Sequence, residues 1–257
     1  MRVVTLNCFL NPRSLTAGIR LRLIARELGL MAPDVILLQE VIIKRYRRWL
    51  ERYLRSLGYR CFSEDGPWFT RGGLLTAVRS TITKAKFHLF HNQGGLVGLL
   101  DGDAIMGKGY QRLEVTIGQK RLTLINTHLL SHCGISRRRD INSNLADQVA
   151  ELRKAILNES KESNLLIAGD FNFPPDSRFY REVTKDTNLK DVMSERTSFN
   201  GNDKRYATHS DGRLDYIFYR GNEFGHTKSA LVFRTPLTMG GSHHSLSDHL
   251  GVMCEFG

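Results

Sequence analysis

Gly169-Asp170-Phe171-Asn172-Phe173-Pro174 follows the uncharged, largely apolar segment Asn164-Leu165-Leu166-Ile167-Ala168 and precedes Pro175. A buried strand ends here and presents a carboxylate, Asp170, and a carboxamide, Asn172, at its carboxyl end. Glycine just before the acid lets another group approach the backbone. Ligand sites of α/β proteins collect at such strand ends. The same residues also make an ordinary Asp/Asn-Pro turn between elements, so the rest of the chain decides the reading.

Working outward, polar groups recur wherever an apolar run stops. Residues 2–9 alternate as a strand ending at Asn7-Cys8. Val35-Ile36-Leu37-Leu38 is a compact buried strand that delivers Gln39-Glu40. Residues 110–117 and 121–126 form a hairpin around Gly118-Gln119, and the second strand hands over Asn126-Thr127-His128. Arg213-Leu214-Asp215-Tyr216-Ile217-Phe218-Tyr219 embeds an acid in a β-rich run, and Ser247-Asp248-His249 precedes a last strand over 250–256. Further strands are predicted within 62–78, broken at Arg71-Gly72-Gly73, and over 84–90 and 229–234. Apolar spacing predicts helices over 16–30, 46–57, 141–156 and 176–184. Without repeats, linkers or low-complexity segments, residues 1–257 read as a single α/β domain.

Bulk composition narrows the partners. The chain has 257 residues, 41% hydrophobic and 25% charged, as in ordinary globular proteins. No apolar run approaches the ~18 residues of a membrane span. The first residues lack a secretory apolar core, so a cytoplasmic location is expected. Cys8, Cys61, Cys133 and Cys254 form no C-x-x-C pair, which argues against a zinc cage or a disulfide framework. The net charge of +11 favours an anionic, phosphate-containing partner, a membrane lipid or a nucleic acid. Residues 44–60 concentrate it: Lys44, Arg45, Arg47, Arg48, Arg52, Arg55 and Arg60 against Glu51 alone. There Tyr46, Trp49, Leu50, Tyr53, Leu54 and Leu57 share one helix face, with Arg45, Arg48, Arg52 and Arg55 on the other side. Residues 91–109 combine glycines with Leu96, Val97, Leu99, Leu100, Ile105 and Met106, a loop or an interaction surface that could touch a membrane.

Burying acids and histidines at strand ends is costly unless they pair or bind metal. Six such positions in one chain point to a site, and the chemistry they suit is phosphoester hydrolysis. A hard divalent cation takes one or two carboxylates. Glu40 is the candidate ligand, with Asn7 orienting it or ligating directly. Asp170 can then position or deprotonate water. His128 and His249 can hydrogen-bond or protonate phosphoryl oxygens, Asp215 can hold His249 in one tautomer, and Asn172 can donate to a phosphate oxygen.

Thr5-Leu6-Asn7, Leu38-Gln39-Glu40-Val41, Asn126-Thr127-His128-Leu129, Gly169-Asp170-Phe171-Asn172, Arg213-Leu214-Asp215-Tyr216 and Ser247-Asp248-His249 resemble, in order, the motifs of the endonuclease/exonuclease/phosphatase superfamily. The resemblance spans residues 5–249. It implies a four-layer α/β sandwich, two packed mixed β-sheets flanked by helices, with the site at one sheet edge. It also implies Mg²⁺-dependent attack of water on a phosphoester, with Mn²⁺ as the alternative ion. By carry-over Glu40 binds metal, Asp170 aligns the nucleophile, His249 and Asp215 form the acid–base pair, and Asp248 is a further metal contact. A monomer is expected. Gly72-Gly73-Leu74-Leu75, His128 and the Asp103 to Tyr110 segment, with Lys108-Gly109, resemble the neutral-sphingomyelinase branch; the basic 44–60 segment suits a nuclease instead. A catalytically silent binding module is the remaining class, and the filled polar positions argue against it.

Overall fold

The computed structural model describes the chain except residues 13, 95–105, 132–137, 195–207 and 210–211, and except the side chains of 138–142. Leu96, Val97, Leu99, Leu100 and Ile105 of the 91–109 loop, and Cys133, therefore lie outside the described residues.

Two six-stranded sheets pack face to face. The first contains β1 (Arg2–Leu10), β2 (Val35–Val41), β3 (Arg60–Phe62), β4 (Leu75–Val78), β11 (His226–Val232) and β14 (Gly251–Phe256), in the order β11-β14-β1-β2-β4-β3. The second contains β5 (Thr81–Leu89), β6 (Gly109–Ile117), β7 (Lys120–His128), β8 (Leu165–Asp170), β9 (Lys190–Asp191) and β10 (Asp215–Arg220), in the order β5-β6-β7-β8-β10-β9. Both are mixed: β1 runs parallel to β2, and β7 to β8. Parallel neighbours need a crossover, supplied by helices α1 (Ala17–Met31) and α3 (Arg138–Asn158). Helix α2 (Lys44–Ser56) packs with α1 on the first sheet, and α3 with the short α4 (Arg178–Thr184) covers the second. The result is the four-layer α/β sandwich expected.

Alternation along the strands explains the layering. On β2, Val35 and Leu37 join the core between the sheets, whereas Ile36 and Leu38 pack under α1 and α2. The inter-sheet core is completed by Leu113, Val115, Leu124, Leu166 and Ile217. Toward one end it turns polar. Gln39 Nε2 donates to Asn126 Oδ1 at 2.8 Å, and Asn126 Nδ2 donates to Thr76 Oγ1 at 3.1 Å and to the Leu38 carbonyl at 3.2 Å. Thr76 Oγ1 donates to Gln111 Oε1 at 2.7 Å. Asn126 is thus spent on joining the sheets.

The helices match their apolar spacing, with one revision. In α2, Leu50 and Leu54 are buried and Gly58 follows the last turn with φ +87°. Arg47, however, lies inside, paired with Glu51 at 2.9 Å and Asp65 at 2.6 Å. Strand β9 and the hairpin β12 (Leu237–Met239)–β13 (Ser242–His244) lack an apolar run and had no clear sequence signal.

Gly169 is required by close approach. Its φ is +149°, and a Cβ would stand 1.9 Å from the Thr127 carbonyl oxygen on β7. Gly169→Ala is expected to cost about 3 kcal/mol. Gly118→Ala, also at positive φ but in open space, should cost only about 1 kcal/mol. Denaturant titration of both variants checks this, and equal losses would refute the packing argument.

Candidate active site

Strand register delivers the site. On the second sheet His128 and Asp215 are the direct neighbours of Asp170, on β7 and β10 respectively. On the first sheet Asn7 and Gln39 are paired, which places Glu40 next along β2. Behind Asp170, Phe171 and Phe173 anchor the strand end in the core with Tyr216, whose hydroxyl donates to the Phe173 carbonyl at 2.8 Å.

Asp170 is the meeting point. Its Oδ2 accepts from Asn7 Nδ2 at 2.9 Å and lies 3.6 Å from His128 Nε2 and 3.8 Å from His249 Nε2. Its Oδ1 accepts the Asn172 backbone N–H at 3.0 Å. Asn7 Nδ2 also donates to Glu40 Oε1 at 3.1 Å, so one amide spans both carboxylates. His249 Nδ1 lies 2.8 Å from Asp215 Oδ2. The 247–249 segment is tied to β1 by Ser247 Oγ, which donates to the Asn7 carbonyl at 2.6 Å. Asn172 Nδ2 donates to the Leu129 carbonyl at 2.9 Å. Asp248 is exposed at the rim. The structure therefore brings Asn7, Glu40, His128, Asp170, Asn172, Asp215 and His249 together, with Asp248 beside them.

The charge states separate the two histidines. Burial opposes a proton on His249, but the Asp215, Asp170 and Asp248 carboxylates outweigh it and lift its pKa to about 10. His128 goes the other way: burial, Lys108 and His249 push it well below the ordinary histidine range. Burial and the neighbouring Asp215 raise Asp170 to about 7, against the opposing pull of His249, Asn7 and Lys108.

Several participants lie outside the set of site residues read from the sequence. Lys108 is buried, with Nζ 2.9 Å from His128 Nε2 and 3.3 Å from the Leu129 carbonyl. Asn11 Nδ2 donates to Glu40 Oε2 at 2.8 Å. The His209 ring lies 4.7 Å from that of His249. Arg20 stacks 4.8 Å from the Phe9 ring, and the charges of Asp248 and Glu40 act on it. Lys108-Gly109 was a usable sequence signal; Asn11, Arg20 and His209 fall outside any ordered motif.

The donor set fits a divalent cation. Four carboxylates (Glu40, Asp170, Asp215 and Asp248) gather at one sheet edge, and Asp215 Oδ1 is buried without a hydrogen-bond partner among the described residues. Burial and then the neighbouring Asp215 carboxylate already drive Asp170 upward, and a cation relieves the repulsion. The half-buried Glu40 carboxylate accepts one amide donor per oxygen, which leaves lone pairs for a hard ion. Two further groupings, Asp170-Asp215-His249 and His209-Asp248-His249, bring ligand atoms within 4.8 Å of one another.

Residues 4–249 match the Endonuclease/Exonuclease/phosphatase family. The chain belongs to that family. It is 30% identical over 183 residues to Protein angel homolog 2 of Danio rerio, covering 70% of this chain and 32% of that protein. The chain thus spans about a third of that curated relative. Among solved structures, D. rerio TDP2 complexed with single strand DNA product superposes with a TM-score of 0.76 at 20% identity, covering all of this chain and 98% of the other. Sphingomyelinase C from Streptomyces griseocarneus gives 0.74 at 19% identity, covering 99% and 98%. At such identities these structures establish the shared fold.

In cation-free protein the His249 imidazole is expected to keep its proton well above pH 8. Asp215→Asn should lower that titration by at least about one pH unit. Imidazole NMR resonances report both, and a wild-type His249 titrating below pH 7 would contradict the pairing.

Proposed function

We propose that the protein is a Mg²⁺-dependent phosphodiesterase that hydrolyses a phosphoester by attack of water. The observation that carries this reading is the convergence of Asn7, His128 and His249 on one oxygen of Asp170, with His249 held by Asp215. Glu40, Asn7 and Asp248 would hold the ion, which supplies Lewis-acid neutralisation of charge on the phosphoryl group. Asp170 in its ionised form takes a proton from the attacking water, and Asn7 fixes that carboxylate for the task. His249, charged at neutral pH, donates a hydrogen bond to a phosphoryl oxygen, and Asp215 prevents its rotation. His128 is neutral, so positive charge on its side of the site comes from Lys108. One chain supplies every group, in keeping with a monomer.

Two substrate classes enter from the sequence. The sphingomyelinase-type reading drew on Lys108-Gly109 and the 91–109 loop; Lys108 is engaged by His128, and most of the loop lies outside the described residues. Among the described residues no helix is long and apolar enough to cross a membrane. The nuclease reading drew on the basic 44–60 segment.

Hydrolysis of bis(p-nitrophenyl) phosphate with Mg²⁺ tests the reaction itself. Asp170→Ala should reduce kcat/KM on the order of 10³-fold or more, and Glu40→Gln should raise the Mg²⁺ concentration needed for half-maximal rate. Full activity in Glu40→Gln or His249→Ala would show that the site is misassigned.

A further inference from the structure

Helices α1 and α2 lie side by side on the first sheet and run in the same direction. A Cβ on Gly18 of α1 would lie 3.6 Å from the Tyr46 hydroxyl of α2. A Cβ on Gly29, three turns on, would stand 2.6 Å from the Tyr53 hydroxyl and 3.4 Å from Leu57. The two glycines let the helices close up, so their outer surfaces form one continuous face.

That face is built from arginine. On α1, Arg22 and Arg26 are exposed one turn apart; on α2, Arg45, Arg48, Arg52 and Arg55 are exposed at spacings of three and four residues. The protein neutralises little of this charge. Arg48 reaches Asp65 at 3.4 Å, and Arg26 lies 3.9 Å from Glu27. Among the described residues no carboxylate pairs with Arg22, Arg45, Arg52 or Arg55; Arg55 donates to the Cys61 carbonyl at 3.3 Å. Like charges at these spacings destabilise a helix. Helix α2 also opens on Lys44 and Arg45 with no acid in its first turn, against its own dipole. Neither helix gains from the arrangement, whereas an external anion would supply the missing compensation.

Lipid, polynucleotide and acidic polypeptide all answer to positive charge, and the apolar side chains separate them. A helix that docks on lipid spreads an apolar face beside its basic one. Here Leu50 and Leu54 are buried, and Tyr46, Trp49 and Tyr53 pack against the core. A nucleic-acid strand seats its bases on open aromatic rings. Here the rings are taken: Trp49 stacks on Tyr53 at 5.8 Å, and Arg45 lies 4.9 Å over Tyr46. One aliphatic side chain remains. Leu30 is 71% exposed and ends the row Arg22, Arg26, Leu30 at spacings of one turn, with half-buried Met31 and Leu57 at the same end of the pair. An acidic segment with an apolar residue at one end matches that order. Its carboxylates suit the planar fork of arginine, and its apolar side chain covers Leu30 in the manner of peptides docked along helical grooves.

We propose that the α1–α2 face docks an acidic polypeptide segment of a partner protein, with carboxylates on Arg22, Arg26, Arg45 and Arg52 and an apolar side chain seated on Leu30. The surface is separate from the phosphodiesterase site and stands or falls independently of it.

The test uses the full chain and a fluorescent, glutamate-rich synthetic peptide ending in leucine, of about 14 residues, long enough as a helix to outspan the roughly 15 Å arginine row of α2. Control peptides carry glutamine for glutamate, or serine for the leucine. A single-stranded oligonucleotide and phosphatidylserine vesicles are the rival probes. The glutamate peptide is expected to bind and to lose affinity as salt rises, and the glutamine peptide is expected not to bind. An Arg22→Gln, Arg45→Gln, Arg52→Gln variant should weaken binding at least about tenfold. Leu30→Ser should weaken it about fivefold and leave binding of the serine-ended peptide unchanged. Hydrolysis of the small diester should not change in either variant. Matching melting temperatures show that the variants fold. Absence of peptide binding, peptide binding that ignores the arginine substitutions, or a Leu30→Ser loss equal for both peptides would overturn the proposal. So would arginine substitutions that weaken the oligonucleotide or the vesicles more than the peptide, or that slow the small diester.

Discussion

The hydrogen bond from Asn7 Nδ2 to Asp170 Oδ2 crosses from one sheet to the other. Asn7 and Glu40 belong to the first sheet, Asp170, Asp215 and His128 to the second, and neither sheet holds a working set alone. The site exists only because the sheets stack in one relative position. That position is set by the apolar layer around Val35, Leu37, Leu124 and Leu166, and by the chain Gln39–Asn126–Thr76–Gln111 behind the site. Apolar packing alone tolerates sliding, whereas a buried amide left unpaired costs about 1–3 kcal/mol. The polar chain therefore penalises every misaligned stacking, and it does so directly behind Asp170 and Glu40.

The same burial produces the electrostatic asymmetry. Two histidines flank one carboxylate oxygen at similar distances, yet they are driven in opposite directions. His249 faces Asp215 and Asp170 and gains a proton; His128 faces Lys108 and loses one. A symmetric pair of charged imidazoles would hold Asp170 permanently ionised and crowd the pocket with positive charge. The observed arrangement leaves one fixed donor, one neutral ring, and an acid whose pKa lies near neutrality. Such separation of pKa values between neighbours is how a single pocket supplies both an acid and a base.

Much of this was legible in the chain. The apolar runs ending in Asn7, Glu40, His128 and Asp170 are strands, and Asp215 opens one where its embedded position suggested. Period-two burial under two layers leaves such runs almost wholly apolar, so each polar interruption stands out. The readings that fell short share a different cause. Arg47 was counted only as one of the basic residues of 44–60, and its pairs with Glu51 and the distant Asp65 hold it inside. Asn126 shared a polar strand end with His128 and carried no assigned role; its amide joins the sheets through Gln39, Thr76 and the Leu38 carbonyl. Asn11 and Arg20 act through contacts that join separate parts of the chain, and no local pattern encodes them.

Backbone conformation at the strand ends accounts for the placement of the carboxylates. Phe9 and Glu40 have φ of +49° and +53°, and Asn172 has +55°. Asn tolerates this region because its side chain bonds locally, while Phe and Glu pay for it. The two costly residues lie on the adjacent parallel strands β1 and β2, whose register shifts between Asn7 and Leu10. A regular ladder would send Glu40 on in alternation with Gln39, away from the face that carries Asn126. The shared kink breaks that alternation where Asn7 and Asn11 can both reach the Glu40 carboxylate. Strain of about 1–3 kcal/mol per residue persists only where surrounding contacts over-determine it. Here the close approach of Gly73 to Glu40 and the tie from Ser247 to the Asn7 carbonyl supply those contacts. The strained bend at Glu40 and the glycine-tight strand end at Asp170 are thus complementary solutions on opposite sheets, each turning one acid toward the same amide.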